Sequence, residues 1–428
     1  MVWLLIGYMF LFIDRPFEVW PILGDMYLER VYMLFTMAMW CIAPGKRLLP
    51  NVQHLGVIAF AGAVLITWGM SPWMEAGQVG VENWFKVLVF YVLLVTSINT
   101  EKDLRRILGG FLVVMAIYLL HSLKEFLGGR HVYRMSIARM VGVDTSMGDP
   151  NSFGSTIIYS LPIVTVFWSV TTSKLLRLGL LGYVGLCMLC ILLTGSRGSL
   201  LGLIMIGGIL MLRSRRIVLY GILAVLFSPV IFMALPESLQ NRFHTIIDPS
   251  VGPANAIESG QGRIDGFFTG MELLAESPLV GIGPGAWRPR TRSIIESHNL
   301  YGQVAGEMGM LGIVSFFGMV LLVYHNIRTM NKLRKRYPPQ SPDEEFLYRT
   351  ARAVGLMFFM MLSLGMFGHN LFRYNWLWFG GILIIAHHCV LVRLKQRSMN
   401  AAPMRLPRVM PVGFPRPIGP GSGPMRAG

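Results

Sequence analysis

Apolar residues come in runs of 12–22 separated by short polar breaks, from Val2 to about residue 393. A helix needs about 20 apolar residues to cross a hydrocarbon core of about 30 Å. It also satisfies its own backbone hydrogen bonds in lipid, which an open strand cannot do. The alternation expected of barrel strands is absent. The pattern predicts spans near 2–13, 29–44, 54–70, 82–98, 105–127, 151–170, 175–193, 199–212, 217–235, 299–326, 347–367 and 373–393. The first is short and the second is interrupted by polar neighbours, so the expected count is eleven to twelve. The expected class is an all-α integral membrane protein with about 12 spans.

Composition agrees: 54% of the 428 residues are hydrophobic and 14% charged, with a mean hydropathy of +0.55. A soluble domain of this length could not bury so much apolar surface. The net charge of +16 raises nucleic acid as a partner. The basic residues instead fall mostly in every second inter-span break: Lys46/Arg47, Lys102/Arg105/Arg106, Lys174/Arg177, Arg213/Arg215/Arg216, the 328–336 cluster and Arg393/Lys395/Arg397. By the positive-inside rule those breaks and both termini face the cytoplasm. No basic n-region precedes the first run, so no cleavable signal pattern is present. Residues 1–398 then read as one polytopic domain. Residues 399–428, rich in Pro, Gly, Arg and Met, read as a disordered cytoplasmic tail whose arginines touch anionic headgroups.

Two outward loops are long, 128–150 and 236–298. In the second, 262–277 reads as a short amphipathic helix that Pro278 ends, followed by a glycine-rich turn through Trp287. The cationic residues of these loops are all arginine: Arg130, Arg134, Arg139, Arg242, Arg263, Arg288, Arg290 and Arg292. They run against the positive-inside expectation, and a guanidinium fork suits phosphate. Arg197, in Thr194-Gly-Ser-Arg-Gly-Ser199, lies beside the hydrocarbon and reads as a phosphate ligand or as an arginine snorkelling to the interface. His298 reads as a general base or as part of a capping cluster with Ser297 or Asn299. Asp149 and Asn151 open a span, where capping competes with ligand contact. Glu307 lies within a span, and is expected to pair with an arginine or to act on substrate. His369 and Arg373 flank another outward turn and can line the same site. Cys187 and Cys190, in an apolar run, read as small span residues. No P-loop, H-E-x-x-H or G-x-S-x-G is present, so no nucleotide, metal or other cofactor is expected.

Taken in order, these pieces resemble the O-antigen ligase family, which shares a domain with O-antigen polymerases and some protein O-oligosaccharyltransferases. Asp149-Pro-Asn151 looks like its Asp/Asn-x-Asn element, and Thr194–Ser199 like its S-R-G element. Arg263 with Phe267 looks like its periplasmic helix, Ser277–Gly285 like its P-L-x-G-x-G segment, and His298-Asn299 with Glu307, Gly309 and Gly312 like its H-N…E-x-G-x-x-G element. The resemblance covers about 150–325, including the periplasmic loop 236–298.

It implies an inverting GT-C-type glycosyltransferase of the inner membrane, independent of metal and ATP. The donor would be a glycan on undecaprenyl pyrophosphate and the acceptor a sugar hydroxyl of lipid A-core. Arg197 and Arg263, with Arg288, would hold the leaving pyrophosphate, and His298 would take the acceptor's proton. Asn299, Asp149, Asn151 and Glu307 would bind substrate. A polymerase of the same chemistry uses the same motifs. A polysaccharide transporter would show inverted repeats and a midplane site, and neither is visible in the sequence.

Overall fold

A computed structural model describes residues 1–134, 137–144, 148–214, 217–233, 235–244, 255–293 and 296–401. Helices α1 (Val2–Ile13), α2 (Pro16–Val19), α3 (Pro21–Asp25), α4 (Leu28–Ile42), α5 (Gln53–Gly69), α6 (Met74–Ser97) and α7 (Glu101–Leu127) precede a hairpin of β1 (Val132–Arg134) and β2 (Ile137–Arg139). Helices α8 (Pro150–Val170), α9 (Lys174–Leu193), α10 (Arg197–Leu212), α11 (Ile217–Met233), α12 (Glu237–His244), α13 (Asn255–Glu276) and α14 (Trp287–Thr291) follow. The chain closes with α15 (Leu300–Arg336), α16 (Pro342–Gly365) and α17 (Asn375–Ala401). Residues 391–428 form a unit of their own, described only as the helical stretch to 401. The expected disordered tail lies, from residue 402, outside the described residues.

The protein is an all-α membrane protein. Among the described residues seven helices are long and apolar enough to cross a membrane: α6, α7, α8, α9, α15, α16 and α17. The other five expected spans correspond to α1, α4, α5, α10 and α11, of 12 to 17 residues. At about 1.5 Å per residue these reach roughly 25 Å at most.

Helix starts follow side-chain chemistry. Thr100, Asp149, Ser173, Ser196, Asn299 and Ser341 each cap the helix they precede by accepting from an amide two or three residues on. Of the caps open at the 297–299 cluster, Asn299 is the one used. The basic clusters expected in loops sit on helix ends instead: Arg105 and Arg106 in α7, and the 328–336 cluster in the last turns of α15. Long cationic side chains can reach polar surroundings from a helix that continues past the hydrocarbon. Aromatic side chains knit α5, α6, α15 and α17 together, with Phe316 set against Phe60 at 5.6 Å and Trp376 at 5.1 Å.

Two features depart from the loop reading. Residues 128–150 are not simply an outward loop. They carry the hairpin, and after it Met140, Val141, Val143 and Asp144 are buried. Asp144 is fixed by Tyr118 Oη, which donates to it at 2.6 Å. The amphipathic helix of the large loop is longer than expected and lies against α15. Its Gly266 and Gly270 meet Gly302 and Gly306, so close that a Cβ at Gly302 would stand 2.2 Å from the Gly266 carbonyl oxygen. This is small-residue packing, in which backbones approach because side chains are missing.

The glycine-rich turn then plugs a break in α15. At Gly309 (φ 59°, ψ −157°) the helix is interrupted, which strands carbonyls and amides on either side. Ile282 and Gly283 donate their amides to Gly306 and Glu307 at 3.0 and 2.8 Å. Met310 and Leu311 donate to Pro278 and Leu279 at 2.8 and 3.0 Å. The turn thus completes the backbone bonding of the broken helix, and holds the helix start that carries His298.

Candidate active site

Three chain segments bring polar side chains to one end of the bundle. At the start of α8, Asp149 accepts the Ser152 amide at 2.9 Å, and Asn151 donates to Asp149 at 3.3 Å. In the turn into α10, Ser196 accepts the Ser199 amide at 3.2 Å and donates to Asn151 Oδ1 at 2.8 Å. Arg139 of β2, fully buried, joins the two. Its Nε donates to the Thr194 carbonyl at 2.7 Å and its Nη2 to Asn151 Oδ1 at 3.2 Å. A buried guanidinium is tolerable only when such acceptors replace water. Arg139→Met is expected to remove both of these hydrogen bonds and to lower stability by about 1–3 kcal/mol, seen as an earlier thermal unfolding midpoint in detergent.

The third segment is the start of α15. Asn299 Oδ1 accepts the amides of Tyr301 and Gly302 at 2.9 and 3.1 Å. His298, just before the cap, sets its ring 5.6 Å from that of His369. Together Asp149, Asn151, Tyr159, His298, His369 and Arg373 line one cleft. Arg263 on α13 lies over the ring of Phe367, a further cleft residue, at 5.4 Å. Burial, and then the like charge of Arg197, pull the Arg263 guanidinium below its ordinary pKa, while Asp149 acts the other way. Arg197, Arg263 and Asp149 are therefore within electrostatic reach of one another. Burial and then Arg373 hold the His369 imidazole toward its neutral form.

The remaining expected residues lie around this centre. Arg288 is exposed, paired with Glu296 at 3.0 Å, and close enough to act on His369. Burial raises the Glu296 carboxyl above its usual range, and Arg288 opposes the shift. Arg290 is held by Glu276, and Arg292 ends α14 in left-handed backbone. Glu307 is fully buried and pairs with no arginine among the described residues. Gln303 donates to its Oε2 at 3.1 Å. The side chains of Arg134 and Arg242 lie outside the described part. Tyr159 escapes a sequence reading that sorts residues by loop and span, and Arg139, expected among the outward arginines, bonds protein acceptors instead. For Tyr159 a signal exists: Asn151, Ser155 and Tyr159 recur every fourth residue along one face of α8.

The sequence pattern of the O-antigen ligase family matches residues 182–317. The chain carries an O-antigen ligase domain. No curated protein matches the chain. The O-antigen ligase segment holds Arg197, Arg263, Arg288, His298, Asn299 and Glu307. The structure sets against it Asp149, Asn151, His369 and Arg373, all outside the matched segment. The family indicates a glycosyltransferase-like activity of the ligase and polymerase kind on lipid-linked glycans. The apolar helices make the protein a multi-pass membrane protein.

Proposed function

We propose that the protein transfers a glycan from undecaprenyl pyrophosphate to a sugar hydroxyl of lipid A-core, at the periplasmic face of the inner membrane. The observation that carries this reading is a cleft lined by the His298–His369 pair, with Arg263 laid over its Phe367 and Arg197 close enough to act on Arg263. The orientation rests on charge. Arg213 ends α10 and the 328–336 cluster ends α15, at the helix ends opposite the cleft, as expected of a cytoplasmic side.

The glycosyl–pyrophosphate bond already carries the driving force, so the reaction needs no ATP. The acceptor oxygen attacks the anomeric carbon from the face opposite the pyrophosphate. The anomeric C–O bond breaks, its electron pair stays with the leaving pyrophosphate, and the configuration inverts. Arg197 and Arg263, with Arg288, stabilise the charge that develops on the phosphate oxygens. His298 accepts the proton of the attacking hydroxyl. His369, held neutral, does not repel that proton and orients the His298 ring. Asp149 and Asn151 position the donor beside the arginines.

The test is transfer by purified protein in detergent, under chelator and without ATP, from an undecaprenyl-pyrophosphate glycan to a panel of acceptors. Wild type is expected to glycosylate lipid A-core, and His298→Ala to lose about a hundredfold in kcat. Extension of the donor glycan itself would identify a polymerase. Failure of wild type to transfer to any acceptor would overturn the reading.

A further inference from the structure

A second cavity adjoins the cleft on the far side of His369 and Arg373, which line both. It encloses about 230 Å³ and is bounded by the C-terminal end of α1, the start of α4, one face of α6, the first turns of α15 and the 369–374 turn. This is far more than the roughly 30 Å³ that one water occupies. The cleft beside it is tighter, at about 20 Å³ by the same measure.

The chamber's lining is mixed in the way a polyol requires. Arg15 supplies donors, Glu29 acceptors, and Asn83 and Gln303 both, while Phe12 and Trp84 add aromatic surface. Glu29 is held by Lys86 at 3.0 Å and by Tyr8 at 3.3 Å, and Arg15 by Glu18 at 2.9 Å, so the chamber presents fixed pairs and not a single charge sign. Gln303, His369 and Tyr374 of its lining also carry buried polar atoms with no hydrogen-bond partner among the described residues. A buried polar atom without a partner is costly, so these side chains would gain from a partner brought within reach.

We propose that this chamber seats the acceptor's terminal sugar ring, with its hydroxyl directed past His369 toward His298. The inference rests on the glycosyl-transfer reading for the identity of the ring, and on the mixed donor, acceptor and aromatic lining for its polarity. Arg197 and Arg263 lie on the other side of the wall, with Asp149 acting on Arg263, where the donor's pyrophosphate binds. Donor and acceptor thus approach from opposite sides of the histidine pair.

Gly80 allows a clean test. It lines the chamber, and a Cβ there would meet no heavy atom within 4 Å. Gly80→Leu should fill the chamber without clashing with the protein, and leucine is the better helix former. Gly62→Leu, also facing open space on α5, controls for a leucine on a membrane helix. Two measurements are made on the full-length protein: calorimetric binding of core oligosaccharide released from lipid A, without donor, and transfer kinetics against acceptor concentration. For Gly80→Leu we expect core oligosaccharide affinity to fall at least about tenfold, acceptor KM to rise by a similar factor, and kcat at saturation to stay within about threefold. Gly62→Leu should match wild type in both. Binding that Gly80→Leu weakens, in a protein that transfers nothing, would uphold the chamber and sink the transfer reading. Binding and KM that Gly80→Leu leaves as they are in Gly62→Leu, or no core oligosaccharide binding together with an unchanged KM, would overturn the chamber.

Discussion

Arg197→Ala and Arg263→Ala are each expected to lower kcat by about 10²–10³, or about 2.7–4 kcal/mol of transition-state stabilisation. Charge accumulates on the pyrophosphate oxygens only as the anomeric bond breaks, so the loss should appear in kcat more than in donor affinity. Arg263 is the sharper case. It is partly desolvated, faces a second guanidinium, and has Asp149 as the opposing charge acting on it. Two cations held together in this way are better satisfied by a dianionic ligand than by each other. Arg263→Lys should recover part of the loss, since it restores the charge without the planar fork. Arg290→Ala provides the contrast, because Glu276 already holds that guanidinium. It should stay within about threefold of wild type. Single-turnover transfer with saturating donor and acceptor measures all four variants. Equal losses at Arg263 and Arg290 would show that the cationic loop acts as a whole, and the cleft assignment would fall.

Much of this site is legible in the chain because membrane proteins punish misplaced polarity. Arg197 stands out between two apolar runs, and the outward arginines stand out against the positive-inside trend. Asp149, Ser196 and Asn299 announce helix starts, and each caps one. The sequence does not show what a cap or a guanidinium is bonded to across the fold. Arg139 looks like one more loop arginine, yet it is fully buried and joins β2 to the starts of α8 and α10. Glu307 invites an arginine partner, and instead takes Gln303 one turn before it on the same helix. The spacing of Gly266, Gly270, Gly302 and Gly306 was readable as two small-residue stripes. Their pairing was not, because it brings together helices joined by a 23-residue connection. The chamber behind His369 is built from five parts of the chain, and no local pattern records it.

Gly309→Ala is expected to remove most of the folded protein. The backbone there occupies a region open in practice to glycine alone. A Cβ would also stand 2.6 Å from the Gly281 amide nitrogen and 2.7 Å from the Leu279 carbonyl carbon. Those are backbone atoms, so no rotamer change relieves the contact. Either the glycine-rich turn withdraws or α15 straightens. Both outcomes cost the four backbone bonds that join 278–283 to 306–311, at about 0.5–1.5 kcal/mol each. Added to the backbone strain, the loss approaches the whole stability of an ordinary domain, about 5–15 kcal/mol. Gly318→Ala is the control, nine residues further along α15, where a Cβ meets nothing within 4 Å. It should fold as wild type, or slightly better, because alanine is the stronger helix former. Size-exclusion profiles of detergent-extracted protein report the comparison directly. A monodisperse Gly309→Ala peak of wild-type height would mean that the turn does not clamp α15. His298 would then owe its position to the cap at Asn299 and the packing of α13 alone.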